Sequence, residues 1–139
     1  MKRFLLICFL FFPQVLMALE ADYTTRLKNV TSIGHWTHEG KEGFYRFITH
    51  AIGSEHVISN LYMQWLTYHE DGVTDSEIIK ETEVMELRGY EYASPVCNHD
   101  NKCEDFILEA TESFGHFISF EFKIAPVGIG KYEISKKAL

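Results

Sequence analysis

The chain has 139 residues, of which 46% are hydrophobic and 24% charged, and its formal net charge is −7 at pH 7. This length suits one domain with one hydrophobic core. The acidic balance argues against a protein that follows a nucleic-acid backbone, which needs a basic surface, and favours a basic partner over an acidic one.

The N-terminal segment has the layout of a secretory signal peptide. Lys2 and Arg3 precede an apolar run over residues 4–15, and small residues follow at Ala18 and Ala21. Cleavage is therefore expected after Ala18 or Ala21. The apolar run is shorter than the roughly 20 residues that a membrane-spanning helix needs, so an uncleaved anchor is the less favoured alternative.

This segment predicts a secreted or periplasmic protein that is free of the membrane after cleavage. Residues 1–21 would be the signal peptide, and residues 22–139 would form a single all-β domain. Loss of the basic N-terminus would change the net charge to about −8 or −9, depending on whether Glu20 is also removed.

Beyond residue 30 the sequence predicts strands. No segment of helical length has apolar residues three and four apart, whereas runs of β-branched and aromatic residues alternate with Gly, Asp, Asn and Pro. Strands are predicted at about 33–38, 44–52, 56–69, 73–87, 90–96, 104–112, 115–124 and 128–134. The fold class expected is all-β, an antiparallel β-sandwich (immunoglobulin-like or related) of about 7–8 strands, with a small barrel as the alternative.

The longest predicted strand, residues 56–69, has apolar side chains on both faces. If Asp71-Gly72 forms a two-residue hairpin loop, Trp65 pairs with Ile78 and Ser59 with Val84. Directly paired residues point to the same face. The odd-numbered face of this strand is therefore the predicted core, and it includes Leu61, Met63 and Trp65, joined by Ile78 and Val84.

The strand before it depends on a second turn. If Gly53-Ser54 is also a two-residue loop, Phe44 pairs with Met63, and Phe44 and Ile48 join the core. One extra loop residue would turn this whole strand over, because side chains alternate between the faces of a sheet.

The even-numbered residues of this strand and their partners on the two neighbouring strands form the other face, which is rich in aromatic rings and carboxylates. This is the predicted binding face, and its candidate residues are Tyr45, Tyr62, Tyr68, Glu81 and Glu83. Tyrosine suits contacts because it brings a large area and a hydroxyl at low entropic cost. The sequence favours an exported, non-enzymatic binding or inhibitor-like domain that recognises a basic protein. For the long strand itself, packing is favoured over binding: the strand would bend and serve two sheets, so that both of its faces are packed.

Two cysteines remain beyond the signal segment, Cys97 and Cys103 in "CNHDNKC". In an exported protein this pair predicts a disulfide that closes a short loop. A zinc site formed with His99 is the alternative, but it lacks a fourth ligand and the paired-cysteine spacing of structural zinc sites.

No catalytic residues and no cofactor are predicted, because the chain contains no nucleophile elbow, P-loop or zinc-protease motif. Seven histidines keep one alternative open, a periplasmic or secreted metal-binding protein or hydrolase. His35 and His38 with nearby carboxylates are its candidate ligands, although residues three apart on a strand face opposite sides.

Overall fold

The computed structural model describes residues 26–53, 58–68, 76–99, 103–113 and 117–139. The predicted signal peptide and the Asp71-Gly72 turn lie outside these residues. The described chain contains nine strands, and a 3-10 turn (Met85–Leu87) follows the fourth. The strands are β1 (Arg26–His38), β2 (Lys41–Ile52), β3 (Ile58–Thr67), β4 (Ile78–Glu83), β5 (Tyr90–Tyr92), β6 (Val96–Cys97), β7 (Phe106–Glu112), β8 (Ser119–Gly128) and β9 (Lys131–Ala138).

The strands form two antiparallel sheets, which confirms the predicted all-β sandwich. The first sheet has four strands in the order β1-β2-β3-β4, and the second has five, in the order β5-β7-β8-β9 with β6 also pairing with β7. The chain passes from one sheet to the other after β4, through the 3-10 turn. At this corner the Tyr132 hydroxyl of β9 donates a hydrogen bond to the Glu83 carbonyl oxygen of β4 at 3.2 Å.

Each of the eight predicted strand regions overlaps an observed strand, although β1 begins at Arg26, well before its predicted start, and two other regions are divided or shortened. The region 90–96 divides into β5 and β6 around Pro95, which has no backbone N–H for a ladder hydrogen bond. The region 73–87 is shorter than predicted, because Met85–Leu87 forms the 3-10 turn that leads to the second sheet. Burial of Leu87, which is fully inaccessible to solvent, holds this turn against the core.

The core lies between the sheets, and aromatic rings dominate its contacts. Phe106 of β7 packs edge-on against two rings of β2, with centroid distances of 5.1 Å to Tyr45 and 4.9 Å to Phe47. Tyr45 also packs edge-on against Trp65 of β3. Because residues of both sheets contribute to this aromatic cluster, its contacts determine the relative position of the two sheets.

The predicted register of β2 against β3 is wrong. Tyr45 pairs with Trp65, and the last pair before the turn is Ile52 with Ile58, which leaves five residues between them rather than two. Relative to the predicted register, β2 is displaced along β3 by an odd number of positions. Each of its side chains therefore points to the face opposite to the one predicted. Tyr45 therefore points into the core, whereas Phe44 points away from it.

The β3 and β4 register also differs from the prediction, but by an even number. Trp65 pairs with Lys80 rather than Ile78, so every side chain stays on its predicted side up to a bulge between Trp65 and Leu66. The odd-numbered face of β3 and Val84 are buried, as expected. Ile78 is not in the core, because beyond the bulge it pairs with Leu66 and it remains 47% exposed.

Candidate functional site

We use the term outer face for the side of the four-stranded sheet that points away from the five-stranded sheet. The even-numbered residues of β2 and β3 and their partners on β1 and β4 lie on it. Four of the five residues predicted to bind a partner lie on or beside this face: Tyr62, Tyr68, Glu81 and Glu83. Tyr45 does not, since the reversal of β2 places it in the core with 6% of its surface exposed.

Burial has a chemical consequence at Tyr45. It raises the pKa of the Tyr45 phenol to about 12, because removal from water disfavours the charged phenolate. The hydroxyl therefore stays protonated and neutral at physiological pH.

The two outer-face tyrosines are held by neighbouring rings. Tyr68 is half exposed, stacks on His35 with centroids 5.9 Å apart, and contacts Phe44 at 5.5 Å. Tyr62 is half-buried and packs edge-on against His50 at 5.4 Å. Since ring contacts restrict both tyrosines, a partner would lose less side-chain entropy on binding them.

The two carboxylates are not equivalent. Glu83 forms a forked ion pair with Arg88, with distances of 2.7 and 2.6 Å, and its side chain is only 18% exposed. Glu81 is exposed and accepts a hydrogen bond of 2.5 Å from the Gln64 side-chain amide. An adjacent cation offsets the charge of Glu83, so Glu81 is the better candidate for contact with a basic partner.

The centre of the outer face is packed, and its periphery is apolar and open. Leu66 is fully buried and Gln64 is 4% exposed, although both point to this face. Around them, exposed apolar residues occur on three of the four strands: Leu27, Val30, Ile58 and Ile78. Both faces of the long strand β3 therefore contain buried residues.

The corresponding surface of the five-stranded sheet is different. Its outward residues on the central strands and the edge strand are largely charged, and they include Glu109, Glu121, Lys123, Glu133 and Lys137. Lys123 forms an ion pair with Asp105 at 2.5 Å. The central part of this face is therefore an ordinary solvated sheet face, and the exposed apolar residues of this sheet, Val96 and Val127, lie on its edge strand β6 and at the end of β8.

A cavity of about 490 Å³ opens at one end of the sandwich. It lies where the end of β1 approaches the turn between β8 and β9, and its lining residues come from both sheets: His35, Trp36, Thr37, His38, Tyr45, Trp65, Glu104, Pro126, Val127, Gly128 and Ile129. A bulge in β1 between Ile33 and Trp36 shapes one wall. Gly34 allows this bulge, because its φ of +71° is unfavourable for other residues and a Cβ would lie 2.9 Å from Phe106 Cζ.

The two histidines of the alternative metal site both line this cavity. His35 Nε2 lies 4.0 Å from Glu42 and His38 Nε2 lies 3.8 Å from Glu39. In the described ranges, no three His, Cys, Asp or Glu side chains are placed to hold a metal ion. A metal site at His35 and His38 would therefore lack a third protein ligand in this part of the chain.

Cys97 and Cys103 lie at disulfide-bonding distance, with Cα atoms 4.6 Å apart. They flank the short segment between β6 and β7, where the Asn98 N–H donates a hydrogen bond to the Asp105 carbonyl oxygen at 2.9 Å. None of the helical segments in the described chain is long and apolar enough to cross a membrane.

The fold and its surfaces define a two-sheet antiparallel β-sandwich with an apolar and aromatic outer face and an end cavity. In comparisons with protein-family models, with curated proteins and with solved structures, nothing matches this chain.

Sequence reasoning missed the end cavity. Its residues are separated by up to about ninety positions, and no spacing pattern links Trp36, Glu104 and Gly128 before the sheets are stacked. A local signal existed only for β1, where Gly34 and two histidines interrupt the strand pattern.

Proposed function

We propose that the protein is an exported, non-enzymatic binding domain that recognises a basic protein partner through the outer face around Tyr62, Tyr68 and Glu81. The observation that carries this proposal is the set of exposed apolar and aromatic side chains that share the outer face of the four-stranded sheet: Leu27, Val30, Ile58, Tyr68 and Ile78. In a monomeric protein, apolar surface concentrated on one sheet marks an interaction site.

Tyr68 is the expected anchor of this interaction. It is half exposed, and its ring is positioned by His35 and Phe44. Tyrosines of this kind are enriched among the few residues that dominate binding energy, because they bury a large area and keep a hydroxyl for hydrogen bonding. The exposed Val30 on β1 and Ile78 on β4 extend the apolar area of the outer face towards its two edge strands.

Charge supports a basic partner. The chain has a formal charge of −7, and the carboxylate of Glu81 is exposed on this face. Opposite charges accelerate association and orient the partner, and salt screens this attraction more than it weakens apolar contact. We therefore expect binding that weakens, without disappearing, as the salt concentration rises.

Export forms part of the proposal. The signal-peptide pattern at the N-terminus supports it, and so do two cysteines placed at disulfide-bonding distance. Disulfides persist in oxidising compartments and are rare in the cytosol.

The test is affinity capture from the envelope or medium of the producing organism, at low and high salt, with matched variants. Glu81→Lys should reduce capture of a basic protein at low salt, whereas Glu109→Lys, an equal charge change on the other sheet, should not. Tyr68→Ser should reduce capture at both salt concentrations, and Phe117→Ser, which removes an exposed aromatic ring elsewhere, should not.

Two results would contradict the proposal. One is capture that is equal for the wild type and all four variants, since the face would then contribute nothing. The other is recovery of no basic partner at either salt concentration.

A further inference from the structure

The end cavity is a concave surface that the proposed binding face does not use, although His35 touches both. We propose that this cavity binds an alkylammonium group, either that of a small amine or that of a lysine side chain. The inference goes beyond the proposed function, and it can be tested on the protein alone, so either proposal can fail without the other.

Aromatic rings form the floor of the cavity, where each is at most 6% exposed. Trp36, Tyr45 and Trp65 line it, and the ring centroids of Tyr45 and Trp65 are 5.9 Å apart in an edge-to-face arrangement. The faces of such rings carry partial negative charge and attract cations, most strongly for tryptophan. Groups of aromatic rings of this kind are a recurrent way to bind quaternary and alkylated ammonium ions.

The polar groups of Trp36 and Tyr45 carry no charge. The Trp36 indole N–H donates a hydrogen bond of 3.0 Å to the Phe44 carbonyl oxygen, so it is already paired within the protein. The Tyr45 phenol is kept neutral by its burial. These two residues therefore offer ring surface and a hydroxyl, which suit an apolar cation better than an anion.

Charge at the cavity is negative. Glu104 lines it, and Glu39 and Glu42 lie beside the two lining histidines. Among the described residues that line the cavity there is no lysine or arginine. Among the described lining residues, an anionic ligand would meet the Glu104 carboxylate and no lysine or arginine, whereas an ammonium group would be attracted.

The dimensions fit a small ligand. The volume of about 490 Å³ lies within the range of roughly 300 to 1,000 Å³ that is typical of small-molecule sites. Val127 lines the cavity and is 57% exposed, so the cavity meets solvent at this residue and can admit a ligand that is attached to a longer chain.

The protein contains two tryptophans, Trp36 and Trp65, and both line the cavity, so intrinsic tryptophan fluorescence reports directly on its occupancy. The probes are tetramethylammonium, choline and Nα-acetyl-lysine methylamide, and the control is 3,3-dimethylbutanol, a neutral isostere of choline. We expect a saturable fluorescence change with the cations and none with the neutral isostere.

Variants connect this signal to the cavity. Glu104→Gln should weaken cation binding by about fivefold, which corresponds to the loss of one partly solvated charge interaction. Glu109→Gln removes the same charge from the outward side of the second sheet and should leave binding unchanged. Far-UV circular dichroism of both variants establishes that each is folded.

The lysine derivative distinguishes the two sources of the ammonium group. Binding of all three cations would indicate a site that accepts a protein lysine, and binding of the quaternary amines alone would indicate a free amine. The proposal is overturned by the absence of a saturable response to every cation, by equal binding of 3,3-dimethylbutanol, or by a response to zinc ions that the cations do not reproduce.

Discussion

Replacement of Gly43 by alanine should destabilise the fold strongly, because β2 and β3 leave no space for a side chain at this position. A Cβ on Gly43 would lie 1.8 Å from the Leu66 carbonyl oxygen and 2.8 Å from Trp36 Cζ2. Neither neighbour can move freely. The Leu66 oxygen belongs to the strand backbone, and Trp36 is 4% exposed with its indole N–H already hydrogen-bonded.

The magnitude follows from these contacts. Relief of the clash requires the strands to separate, which costs about 1–3 kcal/mol for forcing extra volume into a packed site. One or two ladder hydrogen bonds near the site would also be weakened, at about 1 kcal/mol each. We therefore expect the free energy of unfolding to fall by about 2–5 kcal/mol, a large part of the roughly 5–15 kcal/mol typical of a domain.

Urea denaturation followed by tryptophan fluorescence measures this change, because Trp36 and Trp65 are both buried. Gly128→Ala is the matched control: it is also a strand glycine, but a Cβ there would have no atom within 4 Å. The control should change the free energy of unfolding by less than about 1 kcal/mol. A Gly43→Ala protein as stable as the wild type, or an equal loss in both variants, would refute the packing described for β2 and β3.

Three further predictions concern the core, the cysteines and alkaline stability. Phe106→Ala should lower the free energy of unfolding by about 3–5 kcal/mol in urea titrations, and Phe106→Leu should cost less, because Phe106 joins the two sheets. Alkylation of the mature protein without reductant, followed by intact mass measurement, should label neither Cys97 nor Cys103; free thiols at both would contradict the disulfide. Cys97→Ser should then cost about 2 kcal/mol of stability. The Tyr45 phenol has an ordinary pKa near 10 in the unfolded chain and about 12 when folded, so its contribution is complete below pH 10 and is lost as the pH rises from 10 towards 12. Tyr45→Phe should reduce this alkaline loss in denaturation measured across that range, and identical pH profiles for the two proteins would count against the assignment.

Local pattern was sufficient for the strand regions and for one face of β3. Alternation of side chains made Leu61, Met63 and Trp65 core candidates, and all three are buried at 1% exposure or less. The inferred pairing with β4 was displaced by two positions, yet the face assignment survived, because displacement by an even number preserves the side to which each residue points.

The same reasoning failed for β2, and the predicted binding face lost Tyr45 as a result. The turn between β2 and β3 is longer than the two residues assumed, and an odd displacement exchanges the two faces of a strand. Local sequence does not determine the length of such a turn when Gly-Ser is only one of several possible loop ends. Burial of Tyr45 against Phe106, a contact between sheets, decides the orientation.

The sequence by itself determined that this chain is acidic, builds strands rather than helices and places a buried face on β3, since charge and side-chain periodicity are local properties. Only the tertiary structure decided which residues share the outer face. It also decided that one cavity is lined by Trp36, Tyr45, Trp65 and Glu104. These features arise from the stacking of two sheets whose contacting residues are far apart in the chain. The free energy that selects such an arrangement comes from burial of their side chains against each other, which no local pattern records.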